Sequence, residues 1–132
     1  DSTQLQVVAA VRYITNGTYL QVIKDMMQSE VSEAMKPLKA RIAPLVDLYE
    51  KAVNHVKEAN NEDVHDFLAR RLYDMTAEII MSLLIIDDAH RAPELFEKSA
   101  NVYVRMTEED VCAKAYYVMH FTEADLASFR AE

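Results

Sequence analysis

Apolar residues recur along this chain at alternating spacings of three and four, the mark of helices that each bury one face. The longest such run is Val31, Met35, Leu38, Ile42, Leu45, Tyr49, Ala52 and Val56, nearly four heptads. It predicts a helix from about Val31 to Ala59. Pro37 suits the first turn, where a missing N–H costs nothing. Pro44 falls inside the pattern, so a bend is expected near Arg41 to Pro44. A second stripe, Val64, Leu68, Leu72, Met75, Ile79, Leu83 and Ile86, predicts a helix from about Glu62 to Ala89. Asn60-Asn61-Glu62-Asp63 precedes it as loop and amino cap, with acids placed favourably against the helix dipole. A third long helix is expected from about Pro93 to His120, burying Leu95, Val102, Met106, Ala113 and Tyr117. Glu108-Glu109-Asp110 reads as a solvated turn of it.

The two ends are shorter versions of the same pattern. Ser2 to Asn16 reads as a helix with Leu5, Val8, Val11 or Arg12, and Ile14 inward, capped by Ser2 or Thr3. Asn16-Gly17 marks a break, because glycine readily takes the left-handed conformation that ends helices. Thr18 to about Ser29 follows as a short helix carrying Leu20, Ile23 and Met27. Thr122-Glu123-Ala124-Asp125 resembles a capping box opening a terminal helix with Leu126 and Phe129. Long helices joined by short connections force antiparallel neighbours. The expected fold is all-α, an antiparallel up-down bundle of about four long helices, the first broken near Gly17.

Composition narrows the alternatives. One glycine and three prolines in 132 residues fall far below average usage of ~7% and ~5%. Sandwiches, barrels and doubly wound sheets need more turn residues than that. The net charge is −8, and the 14 lysines and arginines are mixed with acids throughout, so a nucleic-acid partner is not expected. Cys112 is the lone cysteine, which excludes an internal disulfide and any cysteine-rich metal site. A reducing, cytoplasmic location fits this. The apolar run Ile79 to Ile86 is far short of the ~20 residues a bilayer span needs and reads as core. The chain opens at Asp1 without a signal-peptide pattern, which implies a processed start or a piece of something longer.

Candidate chemistry is sparse. Glu62-x-x-His65 and Asp87-x-x-His90 share the carboxylate–histidine spacing of di-iron bundles. Both lie on one predicted helix, ~37 Å apart along its axis, so they cannot share a metal pair. Surface and capping roles are the expectation, with no metal site. His55 and His120 read as solvent or interface residues. Cys112 reads as core or boundary packing, and Met26, Met35, Met75 and Met106 as gap-fillers of a core. Tyr103, Tyr116 and Tyr117 fall to amphipathic packing, at the core edge or against a partner. No phosphate-binding glycine loop, nucleophile triad or zinc spacing is present in the sequence. The residues alone thus describe an acidic bundle, and no catalytic residue is assigned.

The first segment, Ser2-Thr3-Gln4-Leu5-Gln6-Val7-Val8-Ala9-Ala10-Val11-Arg12, resembles the end of the catalytic part of acyl-CoA dehydrogenases. That family carries Glu-Gly-Thr-x-Gln-Ile-Gln at the start of a late helix, with an arginine about six residues on. Ser2 falls at the threonine, Gln4 and Gln6 at the glutamines, Leu5 at the isoleucine and Arg12 at the arginine. Asp1 departs from the glycine. In this register the family's glutamate, the base that removes the substrate α-proton, would lie just before Asp1, outside the chain. A one-residue deletion would set Asp1 at the glutamate but spoil the Gln and Arg matches. Asp66-Phe67-Leu68-Ala69-Arg70-Arg71-Leu72 and Glu94-Leu95-Phe96-Glu97-Lys98-Ser99-Ala100 resemble the helical carboxy-terminal extension of some bacterial members.

The resemblance implies residues 1–17 as the end of the catalytic helical region and 18–132 as the extension. It implies a parent enzyme that binds FAD and passes a hydride from the β-carbon of an acyl-CoA to the flavin. Ser2 and Gln4 would touch the cofactor in that parent. The isolated chain would bind no FAD, because a few contacts cannot offset the ordering cost. Expected partners are the rest of the parent and a second subunit, with acyl-CoA and an electron acceptor serving the parent. Two other readings remain open: a free-standing helical interaction module without flavin chemistry, and a metal-binding four-helix protein.

Overall fold

The computed structural model describes residues 2–130, excepting the side chains of residues 2–5, 8 and 9. Among the described residues seven helices follow one another: α1 (Ser2–Thr15), α2 (Thr18–Met27), α3 (Lys36–Ala40), α4 (Ala43–Ala59), α5 (Glu62–Arg91), α6 (Pro93–His120) and α7 (Glu123–Arg130). The described residues contain no strand. The all-α bundle expected from the sequence is what forms.

Local chemistry explains the boundaries. Gly17 sits at φ +88°, where a Cβ would be strained. Beside it the Asn16 side chain accepts from the Thr18 amide at 2.9 Å, starting α2. The heptad helix expected over Val31–Ala59 is instead two helices. Val31 precedes a turn over residues 32–35 in which the Met35 amide donates to the Ser32 carbonyl, and α3 begins only at Lys36. A second break falls at Arg41–Ile42. Pro44 has no N–H for the Ala40 carbonyl, and its ring would strike that carbonyl. It therefore sits in the first turn of α4, and the expected bend is a full interruption. The apolar phase survives. Met35, Leu38, Ile42, Leu45, Tyr49, Ala52 and Val56 are all buried, and Val31 partly so.

Helix α5 is the axis of the molecule. Asn61 caps it by accepting from the amides of Asp63 (2.9 Å) and Val64 (3.3 Å). Every position of its expected stripe, from Val64 to Ile86, is buried. Tyr49 on α4 meets Thr76 at 2.6 Å inside this core. Thr76 spends its one hydroxyl proton on the Leu72 carbonyl (2.7 Å), so the Tyr49 phenol is the donor to Thr76. Burial pushes that phenol up to about 12. Helix α1 lies along α5, where Val7 and Val11 pack on Ala69 and Ile14 joins the main core. The expected inward positions Leu5 and Val8 lie outside the described side chains.

Helix α6 corrects the sequence-based picture. Its limits are as expected but its buried face is not. Ala100, Val104, Thr107, Val111, Ala115 and Val118 face the core. Leu95, Val102 and Met106 are 69%, 72% and 46% exposed, Ala113 is exposed and Tyr117 is half-buried. The physical reason is the partner surface. Small and β-branched side chains let α6 approach α5 closely enough for the buried Ser82 hydroxyl to donate to Thr107 at 2.9 Å. The facing pairs Ser82–Thr107, Arg71–Tyr117 and Phe67–Phe121 run in opposite order along the two helices, which are therefore antiparallel. At the end of the chain the capping box forms. The Thr122 amide donates to Asp125 at 2.9 Å, and the Asp125 amide to the Thr122 hydroxyl at 3.2 Å. Leu126 is buried, whereas Phe129 is 55% exposed with its ring against Phe67.

Candidate functional site

Ser2 and Gln4, the candidate cofactor contacts, stand in the first turn of α1, and their side chains lie outside the described residues. The two carboxylate–histidine pairs are separated from each other and each is otherwise engaged. His65 holds its Nε2 2.7 Å from the Val56 carbonyl, tying α5 to the last turn of α4. Asp87 pairs with Arg91 one turn on and lends its charge to buried Lys39. Lys39 donates to the Met26 carbonyl at 2.9 Å and to that of Ser29, and desolvation lowers its pKa. Among the described residues no three His, Cys, Asp or Glu side chains gather as a metal site.

Other candidates settle differently. His55 is half-buried, and His120 is exposed, stacked on Tyr116 at 3.9 Å. Cys112 is exposed rather than packed, because its neighbour Val111 takes the inward position of that turn. Of the methionines, Met35 and Met75 are core, Met26 is partly buried and Met106 stands outside.

Two polar groupings escaped the sequence reading. The first contradicts the solvated turn expected at Glu108-Glu109-Asp110. Arg41, from the break between α3 and α4, grips Glu108 through two nitrogens, with Nε at 3.2 Å. This hydrogen-bonded pairing lowers the Glu108 pKa. Asp110 pairs with Lys114, and only Glu109 of the three is fully exposed. The second grouping lies on the α5–α6 seam, where Glu78 meets Asp110, with Lys114 and Asp74 close by. Burial, then the proximity of Asp110, pushes Glu78 up to about 7. One Glu78 oxygen is shut off from water without a partner. A proton held on Glu78 and donated to Asp110 removes the clash of two carboxylates, and it lowers Asp110 in turn. The i, i+4 pairs Asp74/Glu78 and Asp110/Lys114 were visible in the sequence. Their meeting depends on which face of α6 turns inward.

Two recesses open on α6. One, of about 330 Å³, lies between its end and α7 and is lined by Tyr116, Tyr117, His120, Phe121, Asp125 and Phe129. The other, of about 360 Å³, is lined by Ile85, Lys98, Ser99, Val102, Tyr103 and Met106. Neither brings a nucleophile to a base.

Comparison with known proteins agrees with the architecture. Residues 15–126 match the family model described as acyl-CoA dehydrogenase C terminal. The chain belongs to this family. The crystal structure of an acyl-CoA dehydrogenase family protein from Porphyromonas gingivalis is similar at 34% identity and a TM-score of 0.79. The match covers 86% of this chain and 98% of that one. No curated protein sequence matches. The family match begins at Thr15 and so leaves out the segment from Ser2 to Arg12, while spanning the bundle from α2 to the first half of α7. No helix of the described residues is long and apolar enough to cross a membrane.

Proposed function

We propose that this chain is the carboxy-terminal domain of an FAD-dependent acyl-CoA dehydrogenase and that its own task is packing and subunit assembly. The family match over residues 15–126 carries this reading. In the parent, residues 1–17 close the catalytic helical region and residues 18–132 form the appended bundle. When bound there, FAD would supply the hydride acceptor for α,β-dehydrogenation of an acyl-CoA thioester. Ser2 and Gln4 would be the residues that hold the cofactor there, as the resemblance implies. No step of the chemistry is assigned to the bundle. It works in the cytoplasm, against the rest of the parent and a second subunit.

Deleting residues 18–132 from the parent tests this. The expected result is an enzyme that still binds FAD but has a changed assembly state in sedimentation. Unaltered assembly overturns the packing role. The isolated chain, titrated with FAD, is expected to show no binding, and micromolar affinity contradicts the assignment. The second reading is a free-standing helical interaction module without flavin chemistry. The length of the native reading frame upstream of Asp1 separates the two readings.

A further inference from the structure

Helix α6 is apolar on two opposite sides. Its inner side, from Ala100 to Val118, is spent on the core. Its outer side carries Leu95, Ser99, Val102, Met106, Glu109 and Ala113, again at alternating spacings of four and three, and all six are exposed. A helix on the outside of a bundle is normally polar on its outer side. Here Leu95, Val102 and Met106 face water, and Leu95 and Val102 are the two most exposed large hydrophobics in the described chain. Such a seam is the pattern by which one helix packs along another.

The order of residues within the seam indicates its occupant. From either end it reads apolar, polar, apolar, apolar, polar, apolar. We infer that the outer seam of α6 pairs with the same seam of a second copy, antiparallel about a two-fold axis beside residue 104. That axis sets Val102 against Met106 of the other copy at the centre. Ser99 then faces Glu109, and Leu95 faces Ala113. Glu109, the single charge in the seam, thus meets a hydroxyl, and Lys98 stands next to that serine to supply the opposite charge. Arg105 lies beside the axis, with Glu108 of its own chain 3.9 Å away to offset it. Every contact type is matched by itself, as a two-fold interface requires. Residues 95–113 extend about 27 Å along the helix. A single helix pair of this length is a small interface, so association is expected to be weak.

The inference rests on the packing role proposed above and is independent of the flavin. Sedimentation equilibrium of the 132-residue chain across roughly 10–300 µM, the range of weak association, is expected to show dimer rising with concentration. The double variant Val102→Asp, Met106→Asp should remain monomeric with an unchanged helical circular dichroism spectrum, since both side chains are outside the core. Register is tested by cross-linking. Arg105→Cys in a Cys112→Ser background should link to itself with a short bismaleimide. The native Cys112 should not, because it lies about 24 Å from its symmetry mate in this register. A chain that stays monomeric throughout, an Asp variant that dimerises equally, or cross-linking through Cys112 instead would each overturn the pairing. If the chain is monomeric yet its deletion disperses the parent's subunits, the packing role stands and this pairing falls.

Discussion

Helices α5 and α6 are nearly equal in length, 30 and 28 residues, and are packed against each other, yet they treat their apolar residues in opposite ways. On α5 the bulky stripe of Leu68, Leu72, Met75, Ile79 and Ile86 is the core itself. On α6 the bulky Leu95, Val102 and Met106 stand outside, and small or β-branched residues (Ala100, Val104, Thr107, Val111, Ala115 and Val118) are the fully buried ones, with Phe96, Tyr117 and Met119 at the edge of the core. Two large stripes facing each other would hold the helices apart. One large and one small stripe interlock, and the Ser82–Thr107 bond marks how close the approach becomes. Hydrophobicity alone therefore identifies the buried face only where a helix has one apolar side.

The sharpest test of that contrast is truncation on both helices. Leu72→Ala or Ile79→Ala on α5 should cost about 2–5 kcal/mol, because each side chain is fully buried and its removal leaves a cavity. Val102→Ala on α6, at 72% exposure, should shift stability by no more than about 0.5 kcal/mol in dilute solution. Urea midpoints of the two variants decide it. Similar losses at both sites would break the distinction. The converse substitution comes next in size. Ala100→Leu adds bulk where α6 meets the core and should cost about 1–3 kcal/mol through overpacking. If thermal unfolding shows that variant to be as stable as the native chain, close approach is not what selects the inner face.

The same contrast explains what could be read before the fold was known. The α5 stripe, the end of α4 at Ala59 and both limits of α6 follow from local pattern and capping, which depend on neighbours in sequence. Local chemistry also located the interruption near Pro44, although its severity depended on packing: the stripe from Met35 to Val56 stays buried across a break in the helix. The face of α6 is different in kind. Both of its seams have helical spacing, and the choice between them is made by the shape of α5, some thirty residues away. The polar groupings inherit that ambiguity. Glu78–Asp110 and Arg41–Glu108 join residues 32 and 67 positions apart, and neither can be seen until α6 is rotated into place. Ser2 and Gln4 rest on resemblance, which local physics neither produces nor replaces.

A smaller effect examines the core where α4 meets α5. Tyr49→Phe keeps the ring and removes only the donor to Thr76. Thr76 still spends its own proton on the Leu72 carbonyl, so no donor is orphaned. The loss should be about 1 kcal/mol, near the worth of one buried neutral hydrogen bond. A loss of the size produced by Leu72→Ala, measured by chemical denaturation, would mean that this bond organises the core rather than merely completing it.

The smallest effect is the most selective, because it reports the α5–α6 contact through its dependence on pH. In the unfolded chain Glu78 loses its proton near the ordinary value of 4.5, whereas in the folded chain it keeps the proton until about 7. Between those values the native state binds more protons than the unfolded one, so stability falls as pH rises. The contribution is complete below the lower value and gone above the higher one. Asp110 is shifted the other way, below its ordinary value of 3.8, and its contribution is lost only in more acidic solution. Glu78→Gln cannot ionise. It should match the native chain at pH 4 and exceed it at pH 8, by less than about 1 kcal/mol because the site is partly open to solvent. Denaturant midpoints at the two pH values measure the difference. Were α6 rotated to bury Leu95 and Val102, Asp110 would swing away from Glu78 and the variant would track the native chain at both.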